Sequence, residues 1–301
     1  MLTTVQDGGR WGYQSRGVPV AGPMDRFAHR LANVIVGNDP RDATLEVTLL
    51  GPHIEFADDR LVSVTGAEFE NIPSNAAFSV SPSQPLIFGR RIRGARAYVA
   101  ISGGIDVPMV LGSRATHLPS AMGGLGGRAL KTGDELRLGP PKGGHYRNEG
   151  TSRHVLTSVV SAFRRTESTL HILPGPQADR FAADALAILE SQAYVVDPNS
   201  NRVGYRLNGP HLQSITSADI ISDATPMGSI QVPASGTPIL LMADCQTTGG
   251  YAKIANVISA DLTIAGQLAP GDKVSFARCS LSEAVDALRS QEQILLAMEQ
   301  S

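Results

Sequence analysis

The feature that most constrains the fold of this chain is an internal duplication. Short motifs of the first half return in the second half in the same order, at offsets of roughly 140 to 160 residues, the scale of a whole domain. The pairs are Gly22–Ala28 with Gly175–Ala182, Gly51–His53 with Gly209–His211, the apolar runs from Pro85 and from Pro238, Ile101–Gly104 with Thr247–Gly250, and Gly133–Asp134 with Gly271–Asp272. Because five short matches keep one order, they predict two related lobes.

Both lobes are predicted to be mainly β, with a few peripheral helices. Apolar runs such as Leu45–Leu50 and Leu61–Val64 follow each other between Gly-Pro and Asp-Asp punctuation, which is typical of short strands. The linker-like composition of residues 139–152 places the boundary at residue 150. The expected domains are an N-terminal lobe, 1–150, and a C-terminal lobe, 151–301.

Three helices are predicted, two of them from capping signals and one from the spacing of its apolar residues. Asp25 is placed to N-cap a helix that stops at Gly37, and Gln177–Glu190 carries apolar residues near one face of a second helix. The sequence Ser280–Glu283 is a capping box that opens the C-terminal helix.

Composition excludes several classes of protein. A net charge of −2 over 301 residues does not supply the basic surface that nucleic acid requires, so no nucleic-acid partner is expected. No apolar run is long enough for a membrane span, and the N-terminus lacks the pattern of a signal peptide. The two cysteines, Cys245 and Cys279, form neither a disulfide framework nor a metal motif. The sequence therefore predicts a cytoplasmic globular protein with no metal and no membrane partner.

A dense cluster of functional groups follows the buried-strand pattern Pro238–Ala243. It comprises Thr247, Thr248, Gly249, Gly250, Tyr251 and Lys253. Paired glycines let the main chain approach a ligand closely, so we interpret this stretch as a turn between two strands that carries the catalytic groups. The alternative is an ordinary hairpin turn, for which Gly-Gly is also a common signal.

Other polar clusters leave binding and structural roles open. The run Asn199–Tyr205 combines amides with the planar guanidinium of Arg202, a donor set suited to a carboxylate or phosphate, but it is equally consistent with a surface loop. The same two alternatives apply to Arg10, Tyr13 and Arg26. The glycine-rich Gly123–Arg128 lacks the lysine and hydroxyl residue of a phosphate-binding loop.

Several long motifs resemble the allophanate hydrolase subunit 2 family, which is also described as biotin-dependent carboxyltransferase-like and includes the C-type subunit of bacterial 5-oxoprolinase. The motifs are Val5–Arg10, Gly17–Arg26, Glu46–Pro52, Ser200–Leu207, Gly228–Pro233 and Asp244–Asp261. The resemblance extends from residue 1 to about residue 278. Two positions depart from the family pattern, since Cys245 stands where arginine is frequent and Ala252 stands where proline is common.

The resemblance implies two cyclophilin-like β-barrel lobes and a subunit 1-type partner, similar to the B-type subunit of 5-oxoprolinase, together with a third subunit. It implies a role in ATP-dependent opening of 5-oxoproline, a cyclic amide, to glutamate, with an ATP site on the partner or shared with it. The alternatives are the carboxyltransferase part of a biotin-dependent urea or allophanate-type carboxylase, and a non-catalytic antagonist of a kinase inhibitor. Because this sequence carries no biotin-carboxylase or biotin-carrier segment, we expect the oxoprolinase role.

The expected substrate-binding residues are taken from the polar clusters and from these motifs. They are Arg10, Tyr13, Asp25, Arg26, Asn201, Arg202, Tyr205, Gln231 and Asp244. In this hypothesis the Thr247–Tyr251 stretch donates main-chain N–H groups to the amide oxygen of the substrate. Asn201 and Arg202 hold a carboxylate or the transferring group, and Tyr251 or Lys253 transfers the proton.

Overall fold

The computed structural model describes residues 2–140 and 168–299, which form two compact units. Unit 1 comprises Met1–Arg10, Ala21–Arg164 and Glu292–Ser301, and unit 2 comprises Trp11–Val20 and Arg165–Gln291. Each unit therefore includes a short segment from the opposite end of the chain. The boundary predicted at residue 150 lies outside the described residues and stays a prediction.

Unit 1 is built on a five-stranded antiparallel sheet in which the order is β1-β2-β7-β4-β5. The described strands of this unit are β1 (Leu2–Gln6), β2 (Thr44–Thr48), β3 (His53–Ile54), β4 (Arg60–Phe69), β5 (Ala77–Val80), β6 (Leu86–Ile87), β7 (Arg91–Ile101), β8 (Ile105–Asp106) and β9 (Arg137–Leu138). Strands β3 and β6 form a separate pair, as do β8 and β9. One face of the main sheet carries the apolar core, to which Val5, Leu45, Val64 and Val99 belong.

The other face of this sheet is covered by helix α1 (Arg26–Ile35), whose predicted N-cap is confirmed. The side chain of Asp25 accepts a hydrogen bond from Ala28 N at 2.9 Å. Hydroxyl groups of the sheet donate to the helix, Ser63 to Ala32 O and Thr65 to Ala28 O, both at 2.6 Å. The helix thus lies on a sheet face that is buried but polar.

Unit 2 is a closed seven-stranded barrel, which confirms the mainly β fold. Its described strands are β10 (Ser168–Pro174), β11 (Tyr194–Val196), β12 (Gly204–Asn208), β13 (Asp219–Ala224), β14 (Ser229–Gln231), β15 (Ile239–Leu241), β16 (Thr248–Tyr251), β17 (Lys253–Val257) and β18 (Lys273–Arg278). The barrel order is β10-β17-β14-β15-β12-β11-β18, and parallel pairing of β18 with β10 closes it. Strands β13 and β16 form a two-stranded ribbon outside this closed sheet. The main sheet of unit 1 has five strands and is open, so the described strands close a barrel in unit 2 alone.

Three further helices lie in the described residues: α2 (Ala185–Ser191), α3 (Leu262–Gly266) and α4 (Leu281–Glu299). The helix predicted over Gln177–Glu190 is wrong in its first half, because Phe181 pairs with Ser214 and its backbone is extended. The capping box of α4 is confirmed, since the carboxylate of Glu283 accepts from Ser280 N at 2.7 Å and Glu283 N donates to Ser280 Oγ at 3.2 Å. In residues 2–140 and 168–299, no helix is both long and apolar enough to cross a bilayer.

Local geometry supports the duplication at one pair of turns. Gly133 and Gly271 both have positive φ, at 86° and 90°, which glycine adopts without the steric penalty of a Cβ. In each turn the following aspartate accepts an N–H three residues upstream, Asp134 from Lys131 N at 2.9 Å and Asp272 from Ala269 N at 2.7 Å. The two motifs therefore build the same turn.

Candidate functional site

The predicted turn at Thr247–Lys253 is a strand in the structure. Thr248–Tyr251 forms β16, and it pairs antiparallel with β13 in the ribbon. The chain turns several residues earlier, where Cys245 N donates to Met242 O at 3.0 Å. The prediction of a turn was wrong because the partner strand, Asp219–Ala224, lies far from this motif in sequence.

Gly249 is nevertheless a position where a side chain does not fit. A Cβ at Gly249 would lie 2.7 Å from Gln231 Nε2, 2.9 Å from Thr225 Cγ2 and 3.1 Å from Gln246 Nε2. Gly250 differs, because a Cβ there would meet only Ile220 O, at 3.6 Å. The close approach predicted for the glycine pair is thus found at Gly249, and the groups that approach are side chains of the protein.

Gln231 and Tyr251 are brought together beside Gly249. Gln231 is buried at the end of β14, and its Nε2 donates to Tyr251 O at 3.2 Å. Tyr251 is 41% exposed, and Thr248, at the other end of the strand, is also exposed. The exposed phenol and hydroxyl are accessible to a ligand, whereas Gln231 supplies an amide from beneath.

Lys253 is buried and held by an ion pair. Its residue exposure is 2%, and Nζ donates to Asp223 Oδ2 at 2.7 Å and to Ala224 O at 2.8 Å. The hydrogen bond from Lys253 lowers the pKa of Asp223, and the N–H of Ala224 and the amide of Gln177 add to this effect. Lys253 therefore fixes the ribbon to the barrel, while proton transfer by its ammonium group stays a prediction.

Arg202 and Asp244 form a buried two-point ion pair. The distances are 3.0 Å from Nε to Oδ2 and 2.8 Å from Nη2 to Oδ1, and the two side chains are 5% and 1% exposed. Both residues were predicted to contact the substrate. In the structure the guanidinium of Arg202 faces a carboxylate of the protein, so a direct role in holding a substrate carboxylate stays a prediction.

The two remaining candidates of the Asn199–Tyr205 run differ in their exposure to solvent. Asn201 is exposed, and its Oδ1 accepts from Val203 N at 2.8 Å in a local turn. Tyr205 is 2% exposed inside the barrel. Asn201 is therefore accessible to a ligand, and Tyr205 belongs to the packed interior.

In unit 1, Arg10 and Asp25 have clear structural roles. Arg10 is fully buried, and it donates from Nε to Val110 O and from Nη2 to Ala115 O, both at 2.9 Å. Asp25 caps helix α1, and Arg26 is the half-buried first residue of that helix. Contact of these three residues with a substrate stays a prediction.

Tyr13 belongs to unit 2, in the segment Trp11–Val20. It is half-buried and precedes a short 3₁₀ turn, Gln14–Arg16, in which Tyr13 O accepts from Arg16 N at 2.9 Å. Its predicted contact with substrate is likewise not tested by this geometry.

The glycine-rich segment Gly123–Gly127 packs against its own unit. Cβ atoms at Gly123, Gly124 and Gly127 would lie within about 2 Å of Ala115 O, Thr116 Oγ1 and Ala121 O, far inside van der Waals contact. The missing side chains thus make room for the protein itself, and these three positions do not fit a phosphate cradle. At Gly126 of the same segment, by contrast, a Cβ would meet nothing within 4 Å.

Unit 2 contains a polar groove. Its volume is about 490 Å³, and its walls include Asp197, Asn199, Arg206, Asn208 and Thr237. None of the predicted site residues lines it. Within residues 2–140 and 168–299, no three His, Cys, Asp or Glu side chains are arranged to hold a metal ion.

Four residues around the ribbon were missed by the sequence analysis. Gln246 and Thr225 flank Gly249, and Asp223 and Gln177 contact Lys253. A signal existed for Gln246, which lies inside the central motif, and for Gln177, which lies in the repeated Gly-Pro motif of the second lobe. Asp223 and Thr225 carry no sequence signal, because their role depends on strand pairing.

Comparison with known proteins places this architecture in a family. Residues 16–278 match the model of the carboxyltransferase domain, subdomain A and B. The chain is 38% identical to the C subunit of 5-oxoprolinase from Escherichia coli, over 97% of this chain and 93% of that protein. It is 34% identical to the C subunit of 5-oxoprolinase from Haemophilus influenzae, over 96% and 92%.

Relatives of a second kind match the chain as part of a longer protein. Urea amidolyase of Saccharomyces cerevisiae is 34% identical over 96% of this chain but only 17% of its own length. The crystal structure of Kluyveromyces lactis urea carboxylase superposes with a TM-score of 0.86 at 31% identity, covering 99% of this chain and 28% of that one.

The chain belongs to the carboxyltransferase-domain family, which confirms the resemblance stated above. Within that family, it matches 5-oxoprolinase subunits over nearly their whole length and urea-processing enzymes over one segment.

Proposed function

We propose that this chain is the C-type subunit of an ATP-dependent 5-oxoprolinase complex. The overall reaction opens the lactam C–N bond of 5-oxoproline and hydrolyses ATP, consuming two water molecules and yielding glutamate, ADP and phosphate. The observation that carries the proposal is the match to the C subunit of the Escherichia coli 5-oxoprolinase at 38% identity over 93% of that relative. The match covers nearly the whole of that subunit, which supports an equivalent role for this chain.

The exposed side of strand β16 is where we place the cyclic amide. Tyr251 and Thr248 are exposed at the two ends of this strand, and the buried Gln231 donates from its side-chain amide to Tyr251 O. Donors fixed before the reaction stabilise an oxygen that gains negative charge by roughly 3–4 kcal/mol each. Because Gly249 has no side chain, the strand lies in close contact with Gln231, Thr225 and Gln246.

The Arg202–Asp244 pair acts in this scheme as a support for the chain that leads into β16. Asp244 N donates to Arg202 O at 2.8 Å, so main chain and side chains join the same two residues. Asn201, exposed beside the pair, is the group that we assign to the substrate carboxylate. With this assignment, the guanidinium of Arg202 stays paired with Asp244 when substrate binds.

ATP is a substrate of the complex, and we place its site on or across a partner subunit. At Gly123, Gly124 and Gly127 the glycine-rich segment of unit 1 packs closely against other protein atoms, which disfavours these three positions as a phosphate site. The lettered name of the relatives supports a complex of several subunits. We propose a subunit 1-type protein as the direct partner, together with a third subunit.

The test is reconstitution of the complex. The tagged chain, isolated from its source with its bound partners, is supplied with 5-oxoproline and ATP, and glutamate and ADP are measured. We expect glutamate only when both substrates are present, and ADP formation that rises with 5-oxoproline. A complex that retains all its subunits and forms no glutamate would contradict the proposal.

A second function is favoured by one specific observation, the TM-score of 0.86 to a urea carboxylase at 31% identity. In that alternative, the chain transfers a carboxyl group from carboxybiotin on a separate carrier to an amide nitrogen. The same preparation distinguishes the two functions. Avidin abolishes a biotin-dependent reaction and leaves lactam opening unchanged, whereas a binding protein without catalysis gives no turnover in either assay.

A further inference from the structure

Two glutamine side chains converge on Gly249. Gln231 Nε2 lies 2.7 Å, and Gln246 Nε2 lies 3.1 Å, from the position that a Cβ of Gly249 would take. The two nitrogens are therefore less than about 6 Å apart, a separation at which one oxygen accepts from both at normal hydrogen-bond distances.

Gln231 contributes a fixed donor. The residue is 2% exposed, and one N–H of its amide is directed to Tyr251 O at 3.2 Å. A carboxamide nitrogen carries two N–H groups, so this contact uses one of them. Its burial and its bond to the strand hold the second N–H in place beside Gly249.

Gln246 contributes a donor from an anchored main chain. Gln246 O accepts from Thr225 Oγ1 at 2.5 Å, and Thr225 N donates to Thr247 O at 3.1 Å. The hydroxyl and the main-chain N–H of the buried Thr225 therefore hold two successive carbonyl groups, those of Gln246 and Thr247. The side chain itself is exposed, so it reaches over Gly249 from the solvent side.

Two neutral amides suit a particular kind of oxygen. They do not carry the charge that would draw a free carboxylate into the site, but they donate to a carbonyl oxygen and more strongly to an oxyanion. When water adds to a lactam carbonyl carbon, the π electron pair of the C=O bond moves onto the oxygen. It returns when the C–N bond breaks, and the nitrogen takes up a proton from the added water and becomes the free amine. Donors at this oxygen assist both steps.

The geometry points to Gln231 and Gln246 as paired carboxamide donors to the carbonyl oxygen of a cyclic amide or cyclic urea. Gln246 is then a substrate-contacting residue on the exposed side, and Gly249 is the position whose missing side chain lets both amides approach. The inference rests on the proposed function and identifies the donors of that site.

The experiment compares three variants in the reconstituted complex. Gln246→Leu removes the two N–H groups of the Gln246 amide while keeping a side chain of similar size. Gln246→Glu places a carboxylate beside the developing oxyanion. Gln192→Leu is the control, at an exposed glutamine of the same unit. We expect kcat to fall about 100-fold or more for Gln246→Leu with a smaller change in KM, because the contact strengthens in the transition state. We expect the kcat of Gln246→Glu to be lower still, and the kcat of Gln192→Leu to stay within about threefold of the parent.

The outcomes separate the inference from the function. If the parent complex opens the lactam and the kcat of Gln246→Leu is within threefold of the parent, the donor pair is refuted and the proposed function is not affected. If the parent does not open the lactam, binding of 2-pyrrolidinone and 2-imidazolidinone to the isolated chain is measured by saturation-transfer NMR. A signal that Gln246→Leu weakens at least fivefold supports the pair, and an equal or absent signal overturns it.

Discussion

Arg202 and Asp244 are joined inside unit 2 by two parallel hydrogen bonds, at 3.0 and 2.8 Å, with almost no exposure to solvent. The pair connects the loop before β12 to the turn that leads into β16. Gln246 follows Asp244 by two positions, so the placement of its amide depends on this pair. The family motif that suggested a substrate site therefore also encodes the internal support of that site.

Breaking this pair is expected to destabilise the chain strongly. Asp244→Asn leaves a guanidinium buried without its countercharge, and such changes cost about 3–5 kcal/mol. The measurement is urea unfolding of the isolated chain, with Asp179→Asn as the control at an exposed aspartate that is expected to stay within about 0.5 kcal/mol of the parent. The double variant Arg202→Met/Asp244→Leu is expected to lose less than the sum of its single changes. Additive losses would show that the two side chains do not stabilise each other.

The pair Lys253–Asp223 predicts a dependence of stability on pH. The pKa of Asp223 is lowered in the folded state, so its contribution is present above the unfolded value of about 3.9 and is lost as pH falls through the folded pKa. The difference in urea midpoint between the parent and Asp223→Asn is therefore expected to be largest above about pH 5 and to shrink below about pH 4. Asp219→Asn, on the same strand, is the control. A difference that stays constant from pH 6 to pH 3 would contradict this ion pair.

Features encoded within a few residues were predictable from the sequence. The N-cap of α1 at Asp25 and the capping box of α4 at Ser280 and Glu283 are present as expected. The repeated Gly-Asp turns also match. These structures satisfy their hydrogen bonds locally, so the order of residues alone determines them.

Features that depend on distant partners were not predictable. Thr248–Tyr251 is a strand because it pairs with Asp219–Ala224, and that partner carries no strand pattern that links it to the motif. Lys253 can be buried because the carboxylate of Asp223 accepts a hydrogen bond from its ammonium group. A single sequence shows neither pairing, so the residues were recognised as important while their geometry was not.

The buried His29 in unit 1 predicts a second pH dependence of stability, in which the protein becomes less stable as the pH falls. Burial lowers the pKa of His29 to about 4, against the weaker opposing effect of Asp7 and Glu46. Between about pH 6.5 and pH 4 the unfolded chain binds a proton at this residue and the folded chain does not, so stability falls by up to about 3 kcal/mol as pH falls.

The change that tests this is His29→Gln, which removes the titrating ring. We expect its free energy of unfolding to vary less between pH 6.5 and pH 4 than that of the parent, while His53→Gln, at an exposed histidine, follows the parent. The imidazole signals of His29 in NMR are expected to keep their chemical shifts down to about pH 5. Titration of this ring near pH 6.5 would refute the burial effect.

The two glycines of β16 are expected to respond differently to the same added methyl group. A Cβ at Gly249 would lie 2.7 Å from Gln231 Nε2 and 2.9 Å from Thr225 Cγ2, both closer than normal contact, whereas Gly250 has only Ile220 O, at 3.6 Å. Because Gln231 and Thr225 are buried, neither yields freely, and Gly249→Ala is expected to cost about 1–3 kcal/mol in the free energy of unfolding. Gly250→Ala is expected to stay within about 1 kcal/mol of the parent in the same urea titration. Equal losses would mean that the amides do not press on Gly249, and the arrangement from which the donor pair was inferred would be absent in solution.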